Sequence, residues 1–157
     1  MKNIKTILLL GLIIFVGTTQ TGCSQEEGVQ FATETITIQT PASKAINLTV
    51  EMALTKEQQQ QGLMFRKSMK DDHGMLFIFP TVRQTGFWMK NTLIPLDMAF
   101  IDEQGIVVHI HPMAIPEDLT NIPSRYPVKA VLEINGGLAD KIGLTEGSRV
   151  SHPAFGT

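Results

Sequence analysis

The densest mixture of aromatic and hydrogen-bonding side chains in the sequence lies between Trp88 and Asp97. Trp88 is the only tryptophan, and an indole offers a wide apolar face and one N–H, a common means of holding a small ligand. Asn91 and Thr92 interrupt the preceding strand, which should leave backbone N–H and C=O groups available to a ligand. The segment predicts a binding pocket. In the alternative interpretation, Trp88 and Met89 fill the core and Asn91 caps a turn.

Arg66 follows three apolar residues, so its guanidinium should lie near the edge of the core, where it needs a partner. Asp97 and Glu133 are the carboxylates placed in otherwise apolar strands. One interpretation is a structural ion pair between Arg66 and either acid. In the other, Arg66 binds a ligand carboxylate or phosphate while Asp97 or Glu133 orients it. An enzyme would use Asp97 or Glu133 as general base and Arg66 as electrostatic stabiliser.

His109, His111 and Met113 alternate along the sequence, so all three side chains could point to one side of a strand. Imidazole and thioether ligands at this spacing suit copper. Pro112 bends the strand before Met113, and a third ligand is needed, so we expect no functional metal site and no cofactor. A periplasmic copper or metal binder remains an alternative. Motifs of serine hydrolases, zinc proteases and phosphate-binding loops do not occur in the sequence.

The first 22 residues predict export. Lys2 and Lys5 precede an almost unbroken apolar run at 7–16, and small or polar residues follow it. Ten apolar residues form a helix of about 15 Å, roughly half of a bilayer core, so this is not a spanning segment. Cys23 is the only cysteine, and we expect it to carry a lipid, although Gln20 stands where such a lipid-attachment box usually has leucine.

A lipidated Cys23 leaves no intramolecular disulfide and no thiol for catalysis or metal binding. We therefore expect a signal peptide at 1–22, the lipidated cysteine and a polar tether at 23–33, and one globular domain at 34–157. Without Lys2 and Lys5, 11 of the 13 basic residues remain against 15 acidic ones. This acidic balance argues against a nucleic-acid partner. The expected location is a membrane of the bacterial cell envelope, on its periplasmic or outer surface.

Short apolar or alternating segments dominate the rest of the sequence and predict strands. They lie at 35–39, 46–52, 74–79, 86–90, 97–102, 106–111, 128–134 and 149–151. Thr55 and Gln58 form a capping box for a helix that ends near Gly62, and a second short helix over Leu138–Ile142 ends at Gly143. Many short strands with two short helices predict a mainly β fold, α+β at most: a sandwich or barrel with the helices packed on it.

Four segments carry a family resemblance: GLMFR at 62–66, GMLFIFP at 74–80, FWMKNTLIPLD at 87–97 and VLEINGG at 131–137. Together they resemble the bacterial and archaeal family known as domain of unknown function 192, over about 46–150. The resemblance implies a compact, single-domain, β-rich fold in an often exported protein, and it implies no activity.

The leading hypothesis is a non-catalytic cell-envelope module that binds a small ligand or a partner protein. The small enzyme and the metal binder described above are the alternatives. The candidate ligand-binding residues are Arg66, Trp88, Asn91, Thr92, Asp97 and Glu133.

Overall fold

The computed structural model describes residues 28–156, in which nine strands and two short helices follow one another. In chain order they are β1 (Thr33–Gln39), β2 (Ala45–Ala53), α1 (Lys56–Gln61), β3 (His73–Arg83), β4 (Gly86–Phe87), β5 (Leu96–Ile101), β6 (Val107–Ala114), β7 (Ile122–Pro123), β8 (Val128–Asn135), α2 (Leu138–Ile142) and β9 (Arg149–Ser151). The predicted signal peptide, Cys23 and the tether up to residue 27 lie outside the described residues.

Seven of these strands form one sheet in the order β6-β5-β8-β3-β2-β1-β9, while β4 and β7 pair separately. Only β2 and β3 are parallel, and α1 lies in the connection between them; every other pair is antiparallel. The two ends of the sheet approach each other, because Ile106 forms a β-bridge with Arg149. A twisted sheet that curls in this way forms a half-barrel. The predicted mainly β, single-domain fold is confirmed.

The two faces of the sheet carry separate hydrophobic clusters. The first cluster takes side chains from all seven strands and from α2, and includes Leu132 and Ile134 of β8. The second lies on the opposite face under α1 and the loops around β4, and includes Val131. Because side chains alternate along a strand, Glu133 shares the face of Val131. An acidic residue therefore stands on the apolar face of a central strand.

The helices confirm the predicted caps, whereas the strand at 86–90 is shorter than predicted. Thr55 and Gln58 form the capping box of α1, and Gly143 ends α2 in the left-handed conformation. β4 stops at Phe87, because the Met89 N–H donates to Asp118 O (2.8 Å) and not to a sheet neighbour. Within the described residues, neither helix has the length and apolar character needed to cross a membrane.

Candidate functional site

Glu133 is the acid that the fold buries without giving it a partner. It lies on β8 between Met75 of β3 and Met98 of β5, which are directly opposite it in the sheet and fully buried. Only 4% of Glu133 is exposed, and the described residues donate no hydrogen bond to its carboxylate. Burial removes water from the charged form and raises the pKa of Glu133 to about 8. The carboxyl group is therefore mostly neutral at pH 7.

Glu133 forms the floor of a cavity of about 650 Å³, which we call the Glu133 cavity. This volume lies within the range of small-molecule sites. Its walls are mixed: apolar side chains lie beside the glutamines of α1, Thr85, Thr92 and three basic residues. The apolar wall residues are Leu63, Met64, Phe77, Phe79, Phe87 and Trp88.

A ring contact, a pair of hydrogen bonds and a glycine turn hold these walls in place. The Phe87 ring packs edge-on against Phe77, with ring centroids 5.2 Å apart. Gln59 fixes α1 to the sheet, since its side-chain amide donates to the carbonyl oxygens of Ala53 (3.2 Å) and Ile78 (2.9 Å). Gly62 then turns the chain over the Phe77 ring at φ 48°, where a Cβ atom would lie 3.4 Å from the ring. These contacts order the walls of the cavity.

Three cations surround the mouth of the Glu133 cavity: Lys56, Arg83 and Lys90. The Arg83 guanidinium lies 4.5 Å from the centre of the Phe79 ring, and the Lys90 ammonium lies 5.6 Å from that of Trp88. Such contacts hold a cation beside an aromatic face without neutralising it.

The segment from Trp88 to Thr92 contributes to the cavity, but in a different way from that predicted. Trp88 is 56% exposed at the mouth, so it does not fill the core, whereas Met89 is fully buried. Asn91 takes the left-handed conformation of a turn at φ 54°. The prediction of free backbone groups is wrong for this turn, because the Asn91 carbonyl accepts from the Phe65 N–H (2.7 Å) and the Thr92 carbonyl accepts from a neighbouring loop (3.1 Å). Thr92 and Trp88 line the cavity through their side chains.

Arg66 pairs with neither of the acids predicted for it. Its two terminal nitrogens donate to the two carboxylate oxygens of Glu51 on β2. The connection after α1 lays Arg66 across β2, on the far side of β3 from Asp97 and Glu133. Arg66 and Glu51 border a separate cavity of about 460 Å³, beside the first described residues of the chain. The predicted pairing with Asp97 or Glu133 is therefore wrong, and Arg66 does not line the Glu133 cavity.

Asp97 is fully engaged by the backbone. Its carboxylate accepts from the N–H groups of Met113 (2.8 Å), Gly137 (2.9 Å) and Ala139 (2.8 Å), and only 1% of the residue is exposed. Gly137 precedes α2 and has no side chain, so the Asp97 carboxylate supplies the cap that this helix lacks. Asp97 thus fixes the fold and does not line the Glu133 cavity.

The two histidines of β6 serve packing. His109 stacks on Phe100 with ring centroids 5.6 Å apart, and its Nδ1 lies 3.3 Å from a Glu146 carboxylate oxygen. The pKa of His111 is lowered mainly by its burial and, to a smaller extent, by the charge of His109. Met113 is exposed and takes the left-handed conformation near the end of β6, at φ 52°. Across residues 28–156, no three His, Cys, Asp or Glu side chains are grouped so that they could hold a metal ion.

Sequence reasoning identified Glu133, Trp88 and Thr92 but missed most of the cavity. The walls come from the segments GLMFR and GMLFIFP, whose apolar residues could not be told apart from ordinary core. The three basic residues come from α1, the end of β3 and the turn after Trp88. They lie far apart in the sequence, and the folded chain brings them to one cavity.

Two solved structures resemble this chain closely. One, from Sinorhizobium meliloti 1021, is described as a "putative transcription regulator"; it is 42% identical with a TM-score of 0.79, and the match covers 81% of this chain and 98% of that one. The other is a protein of unknown function from Novosphingobium aromaticivorans DSM 12444. It is 36% identical with a TM-score of 0.74, and the match covers 80% of this chain and 95% of that one.

No curated protein matches the chain. The family model of DUF192, described as an uncharacterized ACR, matches residues 36–152, which is well over half of the sequence. The chain therefore belongs to the DUF192 family.

Proposed function

We propose that this protein is a lipid-anchored module of the bacterial cell envelope that binds a small molecule in the Glu133 cavity. The observation that carries this proposal is the buried Glu133 carboxyl group, which borders a cavity lined by aromatic, aliphatic and polar side chains. The Glu133 oxygens are still accessible from the cavity, because among the described residues no fully buried side-chain oxygen lacks a hydrogen-bond partner. A ligand in the cavity can therefore form a hydrogen bond with this carboxyl group.

The mouth of the cavity supports binding as well. Trp88 leaves more than half of its surface exposed there, next to the apolar side chains of Met64 and Phe87. An exposed indole beside a concave apolar surface gains contact area when a ligand covers it.

A DNA-binding role, which the description of the Sinorhizobium relative would suggest, has less support. Residues 1–27 hold Lys2, Lys5, Glu26 and Glu27, so the described part of the chain has 11 Lys and Arg against 13 Asp and Glu. Proteins that bind DNA through its phosphates usually carry a clear excess of positive charge.

A small enzyme is the second candidate, and the raised pKa of Glu133 is the observation that favours it. A carboxyl group with a pKa of about 8 can both donate and accept a proton near neutral pH. The positive charge in such a site would come from Arg83, which lines the cavity, and not from Arg66 as the sequence suggested. Incubating an envelope metabolite extract with wild-type protein and with Glu133→Gln separates the candidates. Catalysis requires mass changes that depend on Glu133, whereas binding alone leaves all masses unchanged.

Binding is tested with the full chain as the cell processes it, reconstituted into phosphatidylcholine vesicles. Decan-1-ol is titrated while the fluorescence of Trp88, the only tryptophan, reports on the mouth of the cavity. We expect a saturable change, weakened several-fold by Met64→Gln, which makes one wall polar. Met69→Gln is the matched control, because Met69 is also half-buried but lies outside the cavity. The absence of saturation, or equal weakening by both variants, would contradict the proposal.

The anchor is tested separately at Cys23. Mass spectrometry of the mature protein should find a diacylglyceryl group on this cysteine, and Cys23→Ser should release the protein from membranes as soluble or unprocessed material. A wild-type protein without the lipid would leave the cavity proposal intact but end the proposal of a lipid anchor.

A further inference from the structure

We infer that the Glu133 cavity selects amphipathic anions, molecules with a single negative group on an apolar body, and that Lys56, Arg83 and Lys90 recognise the negative group at its mouth. This inference rests on the proposed function, since it names the class of ligand for the same cavity.

Basic residues outnumber acidic residues in the described lining of the cavity. Glu133 is the only acidic residue among them, whereas the basic residues number three. They come from three separate parts of the fold: Lys56 begins α1, Arg83 ends β3, and Lys90 follows Trp88. The described part of the chain is acidic as a whole, with 13 Asp and Glu against 11 Lys and Arg once the four charges of residues 1–27 are left out. The three basic residues at this opening are therefore a local excess of positive charge in a domain that is acidic overall.

These cations are available to a ligand. The ion pairs among the described residues involve Arg66 and three histidines, and none of them uses Lys56, Arg83 or Lys90. Arg83 and Lys90 lie instead against the rings of Phe79 and Trp88, and all three basic side chains are exposed. An aromatic contact fixes the position of a cation and leaves its N–H donors free for an anion.

The interior of the cavity suits an apolar body that ends in a hydrogen-bonding group. Its lining includes phenylalanine, leucine and methionine side chains, which favour hydrocarbon over water, beside the glutamines of α1, Thr85 and Thr92. Glu133 is mostly neutral at pH 7, because burial raises its pKa to about 8, so the floor does not repel an anion. In this form its O–H can donate to a hydroxyl or carbonyl oxygen at the far end of the ligand.

The affinity of an amphiphilic ligand should therefore depend on whether it is cationic, neutral or anionic. A cationic amphiphile would have to lie beside three like charges. A neutral amphiphile gains only the apolar contacts. An anionic amphiphile gains the same apolar contacts together with up to three charge-assisted hydrogen bonds at the mouth.

The test compares three ligands with the same ten-carbon chain: decanoate, decan-1-ol and decylammonium. Each is titrated at pH 7 into the full chain in phosphatidylcholine vesicles, with Trp88 fluorescence as the readout. Free concentrations are corrected with protein-free vesicles. We expect decanoate to bind roughly tenfold more tightly than decan-1-ol, as three solvent-exposed charge contacts would give. Decylammonium should bind most weakly.

A pair of double variants checks the cause of the preference. Lys56→Gln with Lys90→Gln should bring the ratio of the decan-1-ol and decanoate dissociation constants close to one. Lys44→Gln with Lys70→Gln removes the same charge from exposed sites outside the cavity and should leave the ratio unchanged. Saturable binding with equal affinity for decanoate and decan-1-ol, or a preference for decylammonium, would overturn the inference and leave the proposed function standing. If none of the three ligands gives saturable binding, both are overturned.

Discussion

Asp97 and Glu133 lie on neighbouring strands, and their side chains point to opposite faces of the sheet. Asp97 is directly opposite Ile134, and Glu133 is directly opposite Met98. The Asp97 carboxylate accepts hydrogen bonds from three backbone N–H groups, whereas that of Glu133 borders the Glu133 cavity. The two carboxylates therefore cannot act on one substrate. Asp97 stabilises the fold, and Glu133 defines the site.

Asp97→Asn should destabilise the protein by about 2 kcal/mol, because Oδ1 can still accept from Met113 and Gly137 but the new NH₂ group would face the Ala139 N–H, which needs an acceptor. Urea unfolding measures this loss. The matched control is Asp102→Asn, since Asp102 accepts both of its backbone hydrogen bonds through one oxygen, which asparagine keeps. The control should lose less than about 1 kcal/mol. Equal losses would mean that the cap on α2 contributes little.

The Arg66–Glu51 pair should contribute about 1 kcal/mol or less to stability, because its side chains are 31% and 20% exposed and solvent screens them. A double-mutant cycle with Arg66→Met and Glu51→Gln measures the coupling energy between the two residues. The single Glu51→Gln variant also shows whether Arg66 left alone is tolerated. A coupling energy of about 3 kcal/mol or more would require an enclosed pair, contrary to the structure.

Asn91→Ala should lower the free energy of unfolding by about 1 kcal/mol. The reason is that alanine has a Cβ atom and no side-chain hydrogen bond to its own backbone, so it is strained at φ 54°. Asn91→Gly should be nearly neutral, since glycine adopts this conformation freely. Thermal or urea unfolding of both variants separates backbone strain from loss of the amide side chain. If Gly and Ala cost the same, the Asn91 side chain matters through its contacts and not through the turn.

The strands and helices could be predicted because their signals are local. Alternation marks β2, and the Thr55–Gln58 capping box marks α1. The partner of Arg66 could not be predicted in this way. Glu51 occupies a polar position of an alternating strand and looks like any solvent-facing acid until the connection after α1 places Arg66 over it.

The cavity could be predicted only in part, for a similar reason. Glu133 stands out as an acid among apolar residues, but the sequence does not show that Met75 and Met98 flank it. These neighbours depend on the register of β8 between two strands that are distant in sequence. The exposure of Trp88 also depends on the turn that follows it, because Met89 takes the buried position next to it.

Glu133 should make stability depend on pH in a direction opposite to that of a salt-bridged acid. Its pKa in the folded protein is about 8, against an ordinary value of 4.5. Between these values the folded state keeps a proton that the unfolded state has lost. The contribution of Glu133 to the free energy of unfolding should therefore be greatest below pH 4.5. As pH rises from there to about 8, this contribution should fall by at most about 1.4 kcal/mol per pH unit.

Glu133→Gln is the control for this pH dependence, since glutamine resembles the neutral acid in shape and does not titrate. Urea unfolding of both proteins from pH 5 to pH 9 gives the difference between them. We expect wild type to lose stability relative to the variant as pH rises. Curves that run parallel would show that Glu133 is not buried as described.

Titration of the Glu133 carboxyl carbon by ¹³C NMR, with and without decanoate, tests both the burial of Glu133 and ligand binding beside it. The signal is assigned by its absence from Glu133→Gln. We expect a midpoint near pH 8 in the free protein, because burial raises the pKa of this group. Decanoate should move this midpoint upward, since a ligand in the cavity excludes water and adds negative charge. A midpoint near 4.5 would contradict the burial of Glu133, and a midpoint that decanoate leaves in place would contradict binding in the Glu133 cavity.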